Sequence, residues 1–225
     1  MTIARQWVEE FFGDVAPLVA QIGSSEGLAA LSGTAASRSF QEVSDFPSLR
    51  RFLWDYRSRL LVPIELPVIR QAHAHAGRYE AMELIRLDQR LAAESGLREF
   101  AVASRRVGKR QLKRLRPLRD HRVVQRYLHA VEAGEAHAWH TIVYGLILSL
   151  YSLPLRQGLL SYAQQTTRSF VFAAAPRLRL TDQVCRELVN ELGSDLLPAV
   201  NAVLAAGYPP RPIADQTRPD CPGAL

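Results

Sequence analysis

Two histidines three positions apart are the best candidates for metal ligands in this sequence. His137 and His140 fall on one predicted helix, with Glu135 beside them and His129 upstream. Imidazoles at this spacing can share a metal ion, but a complete zinc-type site needs three or four ligands, and the further candidates are loosely placed. We therefore treat His137 and His140 as weak candidates and predict no metal or other cofactor.

No arrangement of residues typical of an enzyme occurs in the sequence. It lacks GxSxG, HExxH, GxGxxG and Walker A motifs, and Gly108-Lys109 has neither the upstream glycine nor the downstream Ser or Thr of a phosphate-binding loop. Acidic pairs such as Asp88 and Glu94 are typical of solvated helix faces. The sequence predicts a protein that is not an enzyme.

A basic stretch accounts for the charge of the chain. Eight of the fifteen residues from Arg105 to Arg119 are Lys or Arg, and the whole chain has a net charge of +6 and a pI near 9.7. The stretch could contact phosphate, but it lacks interleaved aromatic residues and matches no nucleic-acid-binding motif. A solvated or protein-facing surface is the favoured interpretation, and nucleic-acid binding is an alternative.

A glycine in the same stretch predicts tight packing. Ala101, Ser104, Gly108, Leu112 and Leu115 recur at three- and four-residue steps and form a narrow stripe of small and apolar residues on one helix. Glycine inside a helix costs about 1 kcal/mol relative to alanine. Close approach of another helix is therefore the best explanation of Gly108.

The pattern of the whole chain predicts an all-α fold, a single-domain bundle of about eight to ten helices. Strict strand alternation is essentially absent, and prolines and glycines such as Pro63, Pro67, Pro154 and Pro176 punctuate the helices. Helical periodicity occurs at about 3–22, 47–61, 67–76, 79–94, 97–115, 120–133, 137–152, 154–175 and 181–205. Ser44 or Asp45 is expected to cap the second of these helices.

Three regions are expected along the chain. Residues 1–22 form an N-terminal helical extension, residues 23–206 the all-helical domain, and residues 207–225 a proline-rich tail that is disordered or ordered by a partner. The longest apolar run is too short to span a membrane, and the acidic, aromatic N-terminus is unlike a signal peptide. Cys185 and Cys221 are expected to be reduced thiols in the cytoplasm.

Several segments, taken in order, resemble the UreF family of urease accessory proteins. Glu65-Leu66-Pro67 resembles an acid-Leu-Pro segment at a helix start, and His140, Val143 and Gly145 resemble a His-x-x-Val-x-Gly segment. The strongest match is Leu87-Asp88, then Leu91-Ala92-Ala93, Leu97-Arg98-Glu99 and Gly108 with Leu112. Weaker matches are Ser25, Gly27 and Leu28 near the N-terminus, Leu153 to Tyr162, and Arg177, Thr181 and Asp182.

The resemblance implies a helical scaffold and not a catalyst. It implies a homodimer that binds a UreD/UreH-type accessory protein, recruits the GTPase UreG, and so promotes nickel insertion into apo-urease. The matching positions are the candidate interface or motif residues: Ser25, Gly27, Leu28, Arg98, Glu99, Gly108, His140, Gly145, Arg177, Thr181 and Asp182. A paralogous adaptor for another metalloenzyme or GTPase is the alternative within the same fold.

Overall fold

The computed structural model describes residues 43–94, Leu97 and residues 100–206, and every regular element in these ranges is helical. The helices share one buried hydrophobic core, so the prediction of an all-α single domain is confirmed. The elements are α1 (Phe46–Tyr56), a π-helical segment (Arg57–Glu65), α2 (Leu66–Gly77), α3 (Ala81–Ala93), α4 (Ala101–Arg114), α5 (Arg122–Glu132), α6 (His140–Leu150), α7 (Leu155–Leu178), α8 (Asp182–Gly193) and α9 (Leu196–Ala205). The expected helix at 3–22 and the tail at 207–225 lie outside the described residues.

Helix α1 begins at the predicted cap. The Asp45 carboxylate accepts the Ser48 backbone N–H at 2.8 Å, and the Ser48 hydroxyl accepts the Asp45 N–H at 3.0 Å. These reciprocal bonds satisfy two donors that the first helical turn would otherwise leave without partners. The cap fixes the start of a helix whose apolar face, including Phe52 and Tyr56, is buried.

The chain stays helical through both prolines that were expected to interrupt it. Residues 57–65 form a π segment containing Pro63, and the Leu66 N–H donates to the Leu61 carbonyl five residues back. Pro63 has no N–H to donate, so the helix continues through it with one backbone hydrogen bond fewer. Pro67 lies in the first turn of α2, where its missing N–H costs nothing. The predicted break here was wrong.

Helix α6 is the centre of the molecule. Every residue from His140 to Leu148 is buried, and the helix packs mainly against α2 and α4. A helix that is apolar on all sides belongs in a core and not on a surface. The segments recognised on α3, α4 and α6 therefore meet around a buried helix.

Several helix boundaries differ from the sequence prediction. Helix α6 begins at His140 instead of 137, so His137 precedes the helix and the prediction that both histidines lie on one helix was wrong. Helix α4 begins at Ala101 instead of 97, and α7 continues through Pro176 to Leu178 before Arg179 turns left-handed with φ 52°. Pro176 is so near the end of α7 that its missing N–H affects only the final turn. The expected helix at 181–205 is two helices, α8 and α9, separated after Gly193.

Two further observations concern the described part of the chain. None of its helices has both the length and the apolar character needed to cross a membrane. Cys185 is a buried free thiol on α8, and Cys221 lies outside the described residues.

Candidate partner-binding site

A carboxylate on α3 holds the chain segment that leads into α6. Asp88 has no exposed surface. Its Oδ1 atom accepts the His137 backbone N–H at 2.6 Å, and its Oδ2 atom accepts the Tyr127 hydroxyl at 2.7 Å and the Trp139 N–H at 3.4 Å. The prediction of Asp88 on a solvated face was wrong, because donors within the protein replace water around this carboxylate.

Gly108 lies against the same segment. A Cβ atom at position 108 would fall 1.9 Å from the Ala138 carbonyl oxygen and 3.0 Å from the His140 nitrogen. Ala138 itself is left-handed, with φ 58°, and the Ser104 hydroxyl accepts the His140 N–H at 3.1 Å. The predicted close approach is confirmed, but the neighbour is the backbone before α6 and not the body of a helix.

His140 is a core residue. It is 1% exposed, its Nδ1 atom lies 3.1 Å from the Gln111 amide oxygen, and its ring lies 5.8 Å from that of Tyr162. Burial lowers the pKa of the imidazole to about 4, so the ring is neutral at physiological pH. His137 contributes its backbone N–H to Asp88, and no group of three or more His, Cys, Asp or Glu side chains in the described ranges could hold a metal ion.

Gly145 brings two helix backbones into contact. A Cβ atom there would lie 2.5 Å from the Ile69 carbonyl oxygen and 2.8 Å from the Ala72 Cβ atom of α2. Only a glycine allows α6 to lie this close to α2. Four buried residues therefore fix the position of α6, and none of them presents a side chain to solvent: Asp88, Gly108, His140 and Gly145.

A buried carboxyl group was not predicted from the sequence. Glu65 is 6% exposed, and it accepts the Tyr56 hydroxyl at 2.5 Å. Burial raises its pKa to about 7, while the Tyr56 hydrogen bond and the neighbouring Tyr162 hydroxyl act in the opposite direction. The available signal was a single acid inside the apolar stretch from Leu60 to Ile69.

The exposed side of α4 is strongly basic. Arg105 differs from the other cations because its guanidinium lies 4.7 Å above the Trp139 ring. Arg116, after the helix, forms an exposed ion pair with Glu132 of α5. Five exposed cations form what we call the α4 basic face: Arg106, Lys109, Arg110, Lys113 and Arg114. The residues that face inward from α4 hold α6, so the basic face is carried on a rigidly placed helix.

The remaining candidate residues lie elsewhere. Thr181 caps α8 by accepting the Val184 N–H at 3.4 Å, Asp182 occupies the first turn, and Arg177 is exposed at the end of α7. Arg177 is fifteen residues beyond Tyr162, or roughly 22 Å along the helix. These positions are therefore separate from the α6 group. Ser25, Gly27, Leu28, Arg98 and Glu99 lie outside the described residues.

Sequence comparison agrees with this arrangement. No curated protein matches the chain. The family model for UreF matches residues 43–185, which extend from just before α1 into α8 and make up more than half of the chain. This range contains the described motif residues at the start of α2, on α3, α4 and α6, and at the α7–α8 connection. The chain therefore belongs to the UreF family of urease accessory proteins.

Proposed function

We propose that this protein is a non-catalytic scaffold that bridges a UreD/UreH-type accessory protein and the GTPase UreG during nickel insertion into apo-urease. The observation that carries the proposal is the UreF match over residues 43–185. The family works in urease maturation together with other accessory proteins. In this proposal the chain acts as a cytoplasmic homodimer, and its partners handle nickel and nucleotide.

The structure supports this proposal through the way it uses its motif residues. Asp88, Gly108 and Gly145 contribute contacts that position α6, so their role is to fix the shape of the scaffold. A scaffold must offer its partners one geometry, because binding is weakened when surfaces have to be ordered first. The surface most suited to an acidic protein partner is the α4 basic face.

The proposal is tested by size-exclusion chromatography with light scattering. The full chain is run alone and mixed with the UreD/UreH-type and UreG proteins of its own organism, with and without nickel and a GTP analogue. We expect a dimer that moves into a larger complex with these partners. A chain that remains unshifted with both would contradict the proposal and favour a paralogous adaptor with another client.

Nucleic-acid binding is the second candidate function, and the exposed cations of the α4 basic face favour it. Affinity that rests on phosphate contacts falls steeply as salt is added, because bound counterions are released. Titration of the chain with duplex DNA and with RNA at low and physiological salt separates the two candidates. Tight, strongly salt-dependent binding without any association with the accessory proteins would support nucleic-acid binding.

A further inference from the structure

A hydrogen bond joins the two ends of the π segment. Tyr56 directly precedes the segment and Glu65 is its last residue. The Tyr56 hydroxyl donates to the Glu65 carboxyl group at 2.5 Å, and Tyr162 of α7 interacts with the same carboxyl group. The Tyr56 ring contacts Phe170 of α7, and the Tyr162 ring contacts His140 of α6. The carboxyl group therefore lies where α1, α6 and α7 meet.

A small cavity lies beside this carboxyl group. Its volume is about 10 Å³, near the smallest that admits a water molecule. Glu65, Tyr162, Trp139 and Thr141 contribute to its lining. The Trp139 Nε1 atom, the Thr141 Oγ1 atom and the Tyr162 hydroxyl oxygen are buried and have no hydrogen-bond partner among the described residues. The cavity is therefore polar as well as water-sized.

Within the part of the chain that the structure describes, the groups around Glu65 provide no compensating positive charge. The titratable side chains that act on it directly are Tyr56 from α1 and Tyr162 from α7, and the His140 and Tyr144 rings of α6 pack against the Tyr162 ring. Burial keeps His140 neutral and raises the pKa of both Tyr56 and Tyr162 well above the ordinary value. The carboxyl group is consequently surrounded by neutral groups.

The charged residues on neighbouring helices are engaged elsewhere. Arg105 of α4 lies over the Trp139 ring, and Arg70 of α2 donates to the Val203 carbonyl at 2.9 Å. Asp88 of α3 is bonded to the groups described above. Among the described residues, no cation forms an ion pair with Glu65.

We propose that Glu65, Tyr56 and Tyr162 form a buried proton-binding site in which protonation of the Glu65 carboxyl group stabilises the π segment and its contact with α7. The neutral acid needs no counter-charge, and its own O–H becomes a donor toward the polar cavity. The ionised form keeps the Tyr56 hydrogen bond but is poorly hydrated, because the carboxyl group is buried and the cavity beside it is small.

The sign of the pH dependence follows from burial of the carboxyl group. Its pKa rises from an ordinary value of 4.5 to about 7. Between these values the folded protein keeps a proton that the unfolded chain releases, so the contribution of Glu65 to the free energy of unfolding falls as pH rises and is constant above about 7. His140 acts in the opposite direction: with a pKa lowered from 6.5 to about 4, its contribution is lost as pH falls through that range.

Variants separate these opposing contributions. Urea unfolding of the full chain at about pH 5 and about pH 8 is compared for the native protein, Glu65→Gln and His140→Gln. We expect Glu65→Gln to lose less stability than the native protein on going to the higher pH, and His140→Gln to lose more. Glu187→Gln, which changes an exposed carboxylate on α8, should follow the native curve. The proposal would be overturned if the free energy of unfolding changed between the two pH values by the same amount in Glu65→Gln as in the native protein.

Infrared spectroscopy tests the same site without requiring Glu65→Gln to fold. The native protein should show the C=O stretch of one protonated carboxylic acid below pH about 7, and the band should disappear as pH rises through that value. In Tyr162→Phe the band should disappear at a higher pH than in the native protein, because the Tyr162 hydroxyl favours the ionised form of Glu65. Absence of the band from the native protein at about pH 6, well above the pKa of ordinary carboxyl groups, would overturn the proposal.

Discussion

Gly108 and Gly145 each occupy a position where a side chain would meet another backbone. The stripe on α4 predicted the first from sequence, because a glycine inside a helix needs a packing reason. The neighbour could not be predicted, since the left-handed turn at Ala138 brings the 138–140 segment to α4. Asp88 shows the opposite result: carboxyl groups in an amphipathic helix suggest solvent, and only the fold supplies its three donors.

Replacing Gly108 by alanine should lower the free energy of unfolding by about 1–3 kcal/mol, because the new methyl group would overlap the Ala138 carbonyl oxygen. Gly193→Ala is the matched control: a Cβ at the end of α8 has nothing within 4 Å, so the substitution should be neutral or stabilising by up to about 1 kcal/mol. Urea unfolding of both variants measures the difference. Equal stability of Gly108→Ala and the native chain would contradict the packing described here.

At the scale of elements, the sequence predicted where helices occur better than it predicted where a helix ends or continues. The periodic apolar faces of α1, α3 and α5 predicted these helices. Pro63 suggested a break where the chain forms a π segment, and Pro176 suggested an end three residues too early. A proline removes one hydrogen bond in either case, but whether the helix continues depends on tertiary packing, which periodicity does not encode.

Helix α9 should depend on a side chain from α2. Arg70 is buried and donates to the Val203 carbonyl at 2.9 Å and the Leu204 carbonyl at 3.3 Å, in the last turn of α9. The guanidinium satisfies carbonyls that have no partner within the helix and opposes the negative end of its dipole. Arg70→Met, which keeps much of the aliphatic stem, should cost about 1–3 kcal/mol and increase amide hydrogen exchange in α9.

A second arginine provides the control for this prediction. Arg156 also contacts α9, through an exposed hydrogen bond to Asn201 at 3.1 Å. Because water can replace an exposed partner, Arg156→Met should change stability by less than about 0.5 kcal/mol. Similar hydrogen exchange in the two variants would show that α9 does not need the Arg70 contact.

For the whole molecule, the sequence predicted an all-α scaffold of the UreF type more securely than it predicted the binding surfaces. Four of the described motif residues are buried around α6 and therefore report the fold: Asp88, Gly108, His140 and Gly145. Surfaces that meet partners are set by which side of each helix the core leaves exposed. The stripe through Ser104 and Gly108 predicted which side of α4 packs inward, but only the fold shows that Arg105 lies over Trp139 and is not part of the α4 basic face.

Charge reversal on the α4 basic face should weaken assembly if this surface meets an acidic partner. Lys109→Glu combined with Lys113→Glu should reduce affinity for the UreD/UreH-type and UreG proteins roughly tenfold at low salt, about 1.4 kcal/mol, and the loss should shrink as salt screens the charges. Arg156→Glu combined with Arg186→Glu makes the same change in net charge on α7 and α8 and should bind nearly as the native chain does. Titration calorimetry at two salt concentrations distinguishes the effect of the local charge from that of the net charge. Equal losses of affinity in both double variants would assign the effect to net charge. No loss of affinity in either variant would place the partner surface elsewhere.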